Sequence, residues 1–279
     1  AQAQFSLGFF YDLGKGGLAE DDKEAARWYQ LSSQQGFSPA QYLLADLYYH
    51  GLGVPQNYQE AFEWYLSAAE QGHDNAQNEL AEMYYDGIGV KQDYQQALKW
   101  YKSAADQGLA EAQYGVGRIY DYGEAVAEDD FEAVKWYKMS ADQGYAEAQN
   151  ELGNKYYWGK GTEKNHSLAV TFYQLSAKQG YDRAQRNLAY MYEKGKGINR
   201  DDKKAFEWYL LSAKQGNDSA QNSVGNKYYW GKGVEKNHQE AVKWYRLSAE
   251  QGNNKGQRNL GYMYSTGKGI TEDDKEAVK

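Results

Sequence analysis

Hydrophobic and small residues recur along the chain at steps of three and four, the spacing that places side chains on one face of an α-helix. Residues 74–108 contain two such stripes. They comprise Ala76, Leu80, Ala81 and Tyr84, and then Ala97, Trp100, Tyr101, Ala104 and Ala105. Polar residues occupy most of the positions between them. The pattern therefore predicts two amphipathic helices that pack through their apolar stripes.

Residues typical of helix ends separate the stripes. Asp93 precedes the second stripe and Gln96 follows three positions later, which is the spacing of a capping box. The same spacing recurs at Asn57 and Glu60, Asn237 and Glu240, and Asp273 and Glu276. Ser38 before Pro39 predicts an N-cap followed by proline at the first helical position. Glycines such as Gly87 lie where a helix must end, often with a positive φ.

This two-helix unit repeats every 36 residues. Gln-Gly dipeptides mark the step at Gly36, Gly72, Gly108, Gly144, Gly180, Gly216 and Gly252. An aromatic residue followed by tyrosine keeps the same step at Trp28, Trp64, Trp100, Trp136, Phe172, Trp208 and Trp244. One helix pair buries too little surface to offset an ordering cost of about 1.5 kcal/mol per residue, so the repeats must stack. We therefore predict that the aromatic columns pack repeat against repeat.

The repeat resembles the Sel1-like family, which is related to tetratricopeptide repeats but has a longer loop between the paired helices. The residues that carry the resemblance are Ala76-Gln77, Leu80-Ala81, Tyr84, Gly87-Ile88-Gly89-Val90, Asp93, Ala97, Trp100-Tyr101, Ala104-Ala105 and Gln107-Gly108. The pattern departs locally at Ala125, Phe172 and Gly256. The resemblance implies an all-α, right-handed superhelical α/α solenoid of 36-residue helix-turn-helix repeats.

We expect residues 1–279 to form a single solenoid domain of about seven and a half repeats. The chain begins within a first helix and stops within a second. Leu7, Ala277 and Val278 belong to stacking columns, whereas terminal repeats normally present a polar outer face. The sequence is therefore expected to be an excerpt of a longer chain.

Composition disfavours several kinds of site. The absence of cysteine excludes disulfides, thiolate zinc sites and a cysteine nucleophile, and the four histidines are dispersed. The Gly-x-Gly loops follow no predicted strand, and none has the lysine-serine/threonine ending of a phosphate-binding loop. No apolar run approaches the roughly 18–20 residues that cross a bilayer. We therefore predict no metal, no cofactor, no membrane span and no catalytic activity.

Charge is divided unevenly along the chain, whose net charge is −8. Residues 1–144 hold 9 Lys and Arg against 23 Asp and Glu, whereas residues 145–279 hold 22 against 16. The net negative charge disfavours nucleic acid as a partner.

Family resemblance implies that the first helix of each unit lines a concave groove, with the residues between the packing columns facing a partner. The implied partner-binding residues are Tyr42, Tyr49, Asn78, Tyr85, Tyr114, Asn150, Asn154, Tyr157, Trp158, Arg186, Tyr190, Asn222, Asn226, Tyr229, Trp230, Arg258 and Tyr262. Aromatic faces alternate here with amides that both donate and accept hydrogen bonds. Alternatively, Tyr49 or Tyr85 pads a neighbouring turn.

A 72-residue echo singles out two tryptophans. Residues 153–161 return almost unchanged at 225–233, and residues 185–188 return at 257–260. Trp158 and Trp230 lie in this echo and are the only tryptophans outside the aromatic column.

We interpret the chain as a non-catalytic protein-interaction scaffold that binds a protein or peptide segment in its groove. The alternative is a module that binds glycan or peptidoglycan, because tryptophan and tyrosine faces beside asparagine amides also suit sugar rings. A third interpretation is end-to-end self-association. The resemblance further implies a bacterial host-interaction factor or effector-neutralising protein, and favours the periplasm or export.

Overall fold

The structure is a computed structural model that describes residues 1–277, and these form sixteen α-helices and no strand. Val278, which we assigned to a stacking column, lies outside the described residues. The helices are α1 (Gln2–Asp12), α2 (Asp22–Ser33), α3 (Ser38–His50), α4 (Tyr58–Glu70), α5 (Asp74–Asp86), α6 (Tyr94–Asp106), α7 (Ala110–Tyr122), α8 (Asp130–Asp142), α9 (Ala146–Trp158), α10 (His166–Lys178), α11 (Asp182–Lys194), α12 (Asp202–Lys214), α13 (Asp218–Trp230), α14 (His238–Glu250), α15 (Asn254–Thr266) and α16 (Asp274–Ala277).

Odd-numbered helices are the first helices of the repeats, and even-numbered helices are the second. The chain divides into two compact units, Ala1–Ser140 and Ala141–Lys279, which we describe separately. Within the first unit each helix from α1 to α7 packs against the next, and within the second the same holds from α9 to α16. This arrangement confirms the predicted all-α class and its repeated helix pairs. The assignment of residues 1–279 to one domain stays a prediction.

The tyrosine after each column tryptophan or Phe172 lies at the centre of its repeat. These residues, all 0 to 4% exposed, are Tyr29, Tyr65, Tyr101, Tyr137, Tyr173, Tyr209 and Tyr245. A Cβ atom at Gly117 would lie 2.6 Å from the Tyr137 ring of its own repeat. One at Gly115 would lie 2.5 Å from the Tyr101 ring of the preceding repeat. Tyr137 thus packs on the first helix of its own repeat, and Tyr101 packs on the first helix of the next repeat, as the stacking prediction required. Most of the tryptophans beside the column tyrosines are only half-buried.

A ladder of glutamines joins the same helices through hydrogen bonds. The buried Gln77 in α5 donates from Nε2 to the Ala69 carbonyl of α4 at 3.1 Å, and its Oε1 accepts from Gln107 at 2.8 Å. The same pairing recurs between Gln71 and Gln41, Gln179 and Gln149, Gln215 and Gln185, and Gln251 and Gln221. One side chain therefore ties three helices together. This bonding accounts for the fixed distance between the Ala-Gln and Gln-Gly dipeptides.

Helix caps follow the sequence in part. The Asp93 carboxylate accepts from the backbone N–H groups of Gln95 and Gln96, as an N-cap should. Its own N–H donates to the Tyr84 carbonyl at 2.9 Å, however, and not to the Gln96 side chain as a complete capping box requires. The predicted cap at Ser38 is wrong by one residue, because α3 begins at Ser38 and its N-cap is Phe37.

The second loop glycine allows close backbone contact between repeats. Gly197 has a φ of +67°, and a Cβ atom there would lie 2.3 Å from the His166 carbonyl group at the start of α10. The equivalent Gly89 would meet the Tyr58 carbonyl oxygen at 2.4 Å. Ala125 occupies this position in its own repeat without a positive φ. At Gly197 and Gly89, therefore, the loop needs glycine for conformation and for space, whereas the loop at Ala125 has a different backbone conformation.

We predict that Gly197→Ala destabilises the chain more than Gly180→Ala does. Both glycines have a positive φ, but nothing lies within 4 Å of a Cβ at Gly180. The left-handed conformation alone costs about 1–2 kcal/mol, and the backbone clash adds about 1–3 kcal/mol. Urea denaturation followed by circular dichroism measures both losses. Equal losses would show that the approach to α10 is not tight.

Candidate functional site

Two open pockets with identical linings lie on the second unit. One has a volume of about 410 Å³ and is lined by Asn154, Tyr157, Trp158, Tyr173, Arg186, Asn187, Tyr190 and Met191. The other has a volume of about 280 Å³ and is lined by Asn226, Tyr229, Trp230, Tyr245, Arg258, Asn259, Tyr262 and Met263. Every residue of the second lining has the type of the residue 72 positions earlier. We call them the α9/α11 pocket and the α13/α15 pocket.

Exposed tryptophans form the rim of both pockets. Trp158 is 67% exposed and meets the edge of Tyr157 at 4.7 Å between ring centroids. Tyr157 in turn contacts Tyr190 edge-on at 6.2 Å. In the α13/α15 pocket, Trp230 is 64% exposed, and its rings repeat these contacts at the same two distances. Each pocket thus presents a preformed aromatic wall to solvent.

A lysine holds the two tyrosines of each wall in place. Lys268 Nζ donates to the hydroxyl groups of Tyr229 at 3.0 Å and Tyr262 at 2.9 Å, and lies 5.5 and 5.0 Å from their ring centroids. These hydrogen bonds raise the pKa of Lys268, and the bond from Lys268 lowers the pKa of Tyr262. In the α9/α11 pocket, Lys196 Nζ donates to Tyr157 at 2.6 Å. The cation position over each pair of rings is therefore filled.

Asparagine amides form the polar floor. Asn187 Nδ2 donates to Asn150 Oδ1 at 2.9 Å, and the Tyr173 hydroxyl donates to Asn154 Oδ1 at 2.7 Å. Arg186 donates to Asn187 Oδ1 at 3.0 Å. The floor of the α13/α15 pocket has the equivalent bonds from Asn259 to Asn222 and from Tyr245 to Asn226. These networks fix the amides before any ligand arrives.

Arginine supplies the charge of both pockets. Arg186 is half-buried and Arg258 is exposed, and Arg258 has no hydrogen bond or ion pair within residues 1–277. Neither pocket lining contains a carboxylate. The Arg258 guanidinium is therefore available to an anionic group. Arg186 faces the α9/α11 pocket but also lines a neighbouring polar pocket together with Glu151, Asp182 and Asp218.

An ion cluster replaces the aromatic wall at the interface between α11 and α13, which lies between the two pockets. Lys227 occupies the position equivalent to Met191, and Glu193 the position equivalent to Tyr157. The Lys227 side chain is only 2% exposed, and its Nζ lies 2.8 Å from Glu193 Oε1 and 3.1 Å from Asp202 Oδ1. Aromatic and ionic interfaces thus alternate along the second unit.

The ion cluster stabilises its carboxylates in the charged form. Burial alone would raise the pKa of Glu193, but the hydrogen bonds and charges of Lys227 and Lys194 together outweigh burial and lower it. Burial would also raise the pKa of Asp202. The hydrogen bonds and charges of Arg200 and Lys227 outweigh burial, so the pKa of Asp202 is lowered. A lowered pKa in the folded chain stabilises it above the ordinary carboxylate range near about 4. This stabilisation is lost as the pH falls through the folded-state values.

The predicted groove residues of the first unit pack on other side chains of that unit. Tyr49 contacts Tyr58 at 5.1 Å and Tyr85 contacts Tyr94 at 5.2 Å, both at the start of a second helix. This is the padding role that we considered as the alternative. The other two predicted tyrosines also pack internally: Tyr42 on His73 at 4.8 Å and Tyr114 on Tyr137 at 5.7 Å.

Burial divides the predicted partner-binding residues into two groups. The buried members are Asn78, Tyr85, Asn150, Tyr157 and Asn222. The exposed members are Trp158, Tyr190, Trp230, Arg258 and Tyr262, and the remainder are half-buried. Partner binding by this set stays a prediction, and the buried members can support a surface but present little of it. Sequence reasoning did not identify Asn187, Asn259, Lys196 or Lys268, although all four lie within or beside the 72-residue echo.

Carboxylates converge beneath Tyr42 in the first unit. Burial raises the pKa of Glu79 to about 7; the hydrogen bond from Asn78 opposes this shift, and the charges of Glu82, Asp46 and Glu111 add to it. The cluster gives no sign of a metal site, since no group of three or more His, Asp or Glu side chains in the described part of the chain is placed to hold an ion. Across residues 1–277, no helix combines the length and apolarity that crossing a bilayer demands.

We predict that Glu79→Gln stabilises the chain at pH 8 but not at pH 4.5. With a folded-state pKa of about 7 against an ordinary 4.5, the folded chain retains a proton that the unfolded chain loses between these values. The free energy of unfolding therefore decreases as the pH rises through these values. Glutamine does not titrate, so Glu79→Gln should recover about 1–3 kcal/mol at pH 8. Urea denaturation at both pH values measures the difference. The exposed Glu70→Gln serves as control, and a Glu79→Gln effect independent of pH would contradict the shifted pKa.

A second prediction concerns the ion cluster. Lys227→Met leaves two carboxylates without their buried partner and should cost about 3 kcal/mol, the low end for a broken buried pair, since both carboxylates remain partly hydrated. Adding Glu193→Tyr recreates the pairing of Tyr157 with Met191 and should recover at least half of the loss. Denaturant midpoints of both variants test this, with the exposed Lys214→Met as control. A double variant no more stable than Lys227→Met would show that the two interface types are not interchangeable.

Comparison with known proteins places this geometry in a family. The Sel1 repeat model matches residues 1–37, 38–73, 74–109, 110–145, 146–181, 182–217, 218–253 and 254–279. No curated protein gives a significant match. Sel1 repeat proteins generally serve as protein-interaction scaffolds, and their fold is typically non-catalytic.

Solved structures agree with the family match. A protective antigen present in uropathogenic Escherichia coli strains is 37% identical, with a TM-score of 0.84 over 99% of this chain and 59% of that chain. This chain therefore spans about three fifths of the antigen's length. A Sel1 repeat protein from Oxalobacter formigenes is 34% identical, with a TM-score of 0.73 over 99% of this chain and 80% of that one.

A more distant likeness shows the fold alone. An immunity protein from Pseudomonas aeruginosa is 24% identical over 78% of this chain and 83% of that one, with a TM-score of 0.50. Eight consecutive matches along the sequence, together with two structures above 30% identity, place the chain in the Sel1 repeat family.

Proposed function

We propose that the chain is a non-catalytic scaffold that holds a segment of a partner protein in the α9/α11 and α13/α15 pockets. The observation that carries this proposal is the exposure of Trp158 and Trp230 above two open pockets with identical linings. Tryptophan, tyrosine and arginine are the residues that contribute most binding energy at protein interfaces. Exposed aromatic clusters of this kind mark interaction sites on soluble domains.

The two groups of predicted residues have different parts in this proposal. Exposed Trp158, Tyr190, Trp230, Arg258 and Tyr262 contact the partner. The buried asparagines hold the floor of each pocket through bonds that already exist in the free chain. A rigid floor lowers the ordering cost of binding, which would otherwise subtract from affinity.

The pocket linings also support a non-catalytic role. They contain tyrosine, tryptophan, asparagine, arginine and methionine, and neither includes a carboxylate, histidine or serine that could serve as base or nucleophile. Aromatic and amide groups of this kind bind and orient ligands. Similarity to a protective antigen further supports a role at the interface with a host. Localisation in the periplasm or outside the cell stays a prediction. Neutralisation of an effector and end-to-end self-association stay predictions.

The rival function is binding of a neutral glycan, which exposed tryptophan beside asparagine amides also favours. The two functions differ in their dependence on salt. A partner attracted by Arg186 and Arg258 should associate more slowly as ionic strength rises, whereas stacking of a neutral sugar should hardly change. Association rates at 50 and 500 mM sodium chloride separate them.

We predict that Trp158→Ala with Trp230→Ala abolishes binding and leaves the fold intact. Because both side chains are mostly exposed, each truncation should cost less than about 1 kcal/mol of stability, including the lost edge contact with tyrosine. Random 12-residue peptides displayed on phage and selected on the wild-type chain provide the ligands, and their affinity for the double variant provides the test.

A matched control variant exists on the second helices of the same unit. Leu175 and Leu247 are also 72 residues apart, each is 44% exposed, and neither lines a pocket. Leu175→Ala with Leu247→Ala should leave peptide binding unchanged. If the selected peptides bind the tryptophan variant as tightly as the wild type, the pockets are not the interaction site. If the tryptophan variant unfolds, both residues are structural.

A further inference from the structure

We propose that the two pockets bind one extended peptide that carries two acidic-aromatic motifs, with their aromatic residues about six positions apart. This inference rests on the proposed function and adds the chemistry and spacing of the partner. It follows from three features of the second unit: the charge of each pocket, the shape of its wall, and the alternation of aromatic and ionic interfaces.

The charge of each pocket favours an acidic group. Arg186 and Arg258 occupy the same place in the two linings, and neither lining contains a carboxylate. A planar guanidinium binds a carboxylate through paired hydrogen bonds. A cationic ligand is disfavoured, because Lys268 already lies over the Tyr229 and Tyr262 rings, and Lys196 lies 4.8 and 5.5 Å from the centroids of Tyr157 and Tyr190.

The wall of each pocket favours an aromatic side chain beside the acid. Trp158 and Trp230 stand edge-on to their neighbouring tyrosines, at ring planes 83° apart in both pockets. A further ring can pack against such a wall by the offset or edge contacts that aromatic groups prefer, worth about 0.5–1.5 kcal/mol beyond the buried area. Volumes of about 280 and 410 Å³ suit one side chain and its neighbour, and fall at or below the lower end for drug-sized ligands.

The alternation of interfaces sets the spacing. Between the two pockets, Lys227 and Glu193 occupy the place of the aromatic wall, so the repeating unit of the binding surface is two repeats. Side chains join successive first helices: Asn187 of α11 bonds to Asn150 of α9, Lys227 of α13 to Glu193 of α11, and Asn259 of α15 to Asn222 of α13. Packed helices lie about 8–10 Å apart, which separates the pockets by about 20 Å. An extended chain covers that distance in about six residues at ~3.3 Å each.

Two linked motifs should bind far more tightly than one. Once the first motif is bound, the second meets its pocket at a high effective concentration, and linkage of this kind raises affinity by about 10²–10⁴-fold when the spacing fits. A spacing that cannot reach both pockets gives no such gain. Linkage and spacing thus provide the measurable signature of the proposal.

The test uses synthetic peptides and the full chain. The paired peptide carries two Glu-Phe motifs whose phenylalanines are six positions apart in a Gly-Ser sequence. The comparison peptides carry one motif, two motifs three positions apart, or two Lys-Phe motifs six positions apart. Isothermal titration calorimetry measures affinity and stoichiometry. We expect the paired peptide to bind one to one and at least 10-fold more tightly than any other.

Variants of the chain test each pocket and each charge. Trp158→Ala and Trp230→Ala, made separately, should each reduce the paired peptide to the affinity of the single-motif peptide. Arg186→Gln with Arg258→Gln should weaken the Glu-Phe peptides at least 10-fold and leave the Lys-Phe peptide unchanged. Equal affinity of paired and single-motif peptides overturns the two-pocket arrangement, and equal affinity of Glu-Phe and Lys-Phe peptides overturns the acidic preference.

Failure of this inference can be distinguished from failure of the scaffold function. If the phage-selected peptides depend on Trp158 and Trp230 but show no paired acidic-aromatic motifs, the scaffold function stands and the ligand assigned here is wrong. If neither the selected nor the designed peptides depend on either tryptophan, both proposals fail.

Discussion

Close packing of successive first helices around a buried tyrosine is the constraint on which the rest of the structure depends. The Tyr101 ring leaves no room for a Cβ at Gly115, and the Tyr137 ring leaves none at Gly117. The position of Gly117 is accordingly glycine or alanine in every repeat: Gly8, Ala45, Ala81, Gly153, Ala189, Gly225 and Gly261. Because the same few positions satisfy it in every repeat, the remaining positions of each first helix are free to vary with function.

The architecture could be predicted from the sequence because the same pattern of residues recurs in every repeat, so that a departure in one repeat does not obscure it. The 36-residue step, the helix pairs and the buried column tyrosines all follow from residue type and spacing, and the structure agrees with each. Features that depend on the path of the loops between helices were predicted less accurately. The bond from the Asp93 N–H to the Tyr84 carbonyl and the start of α3 at Ser38 required the path of the loop. Periodicity in one chain segment does not specify that path.

The site was predicted less completely, for a related reason. Sequence reasoning placed Trp158 and Trp230 outside the packing columns, and both are exposed. It treated Asn150 and Asn222 as equally accessible, whereas each is buried beneath an asparagine from the next repeat. A position between two packing columns can face solvent or a neighbouring helix, and helical phase alone does not decide which. The lysines that fix the tyrosine pairs come from the following loop, beyond the segment that helix periodicity describes.

Electrostatics gives the two units different surfaces on one scaffold. In the first unit, burial raises the pKa of Glu79 to about 7, and the charges of neighbouring carboxylates add to this shift. In the second unit, Lys227 pairs with Glu193 and Asp202, and neither pocket lining places a carboxylate beside Arg186 or Arg258. The same repeat therefore supports an acidic surface and a basic one without any change in the residues that pack its core.

The alternation of aromatic and ionic interfaces has a consequence for how such a protein can change in length. Loss or gain of a single repeat would preserve the stacking contacts. It would interrupt the alternation, however, because two interfaces of the same kind would follow each other or the Lys227 position would lie opposite a tyrosine. Addition of two repeats at a time would extend the surface and keep the alternation of aromatic and ionic interfaces. The unit that folds is one repeat, whereas the unit that forms a binding surface is two repeats. Gene duplication therefore extends the binding surface only when it copies two repeats together.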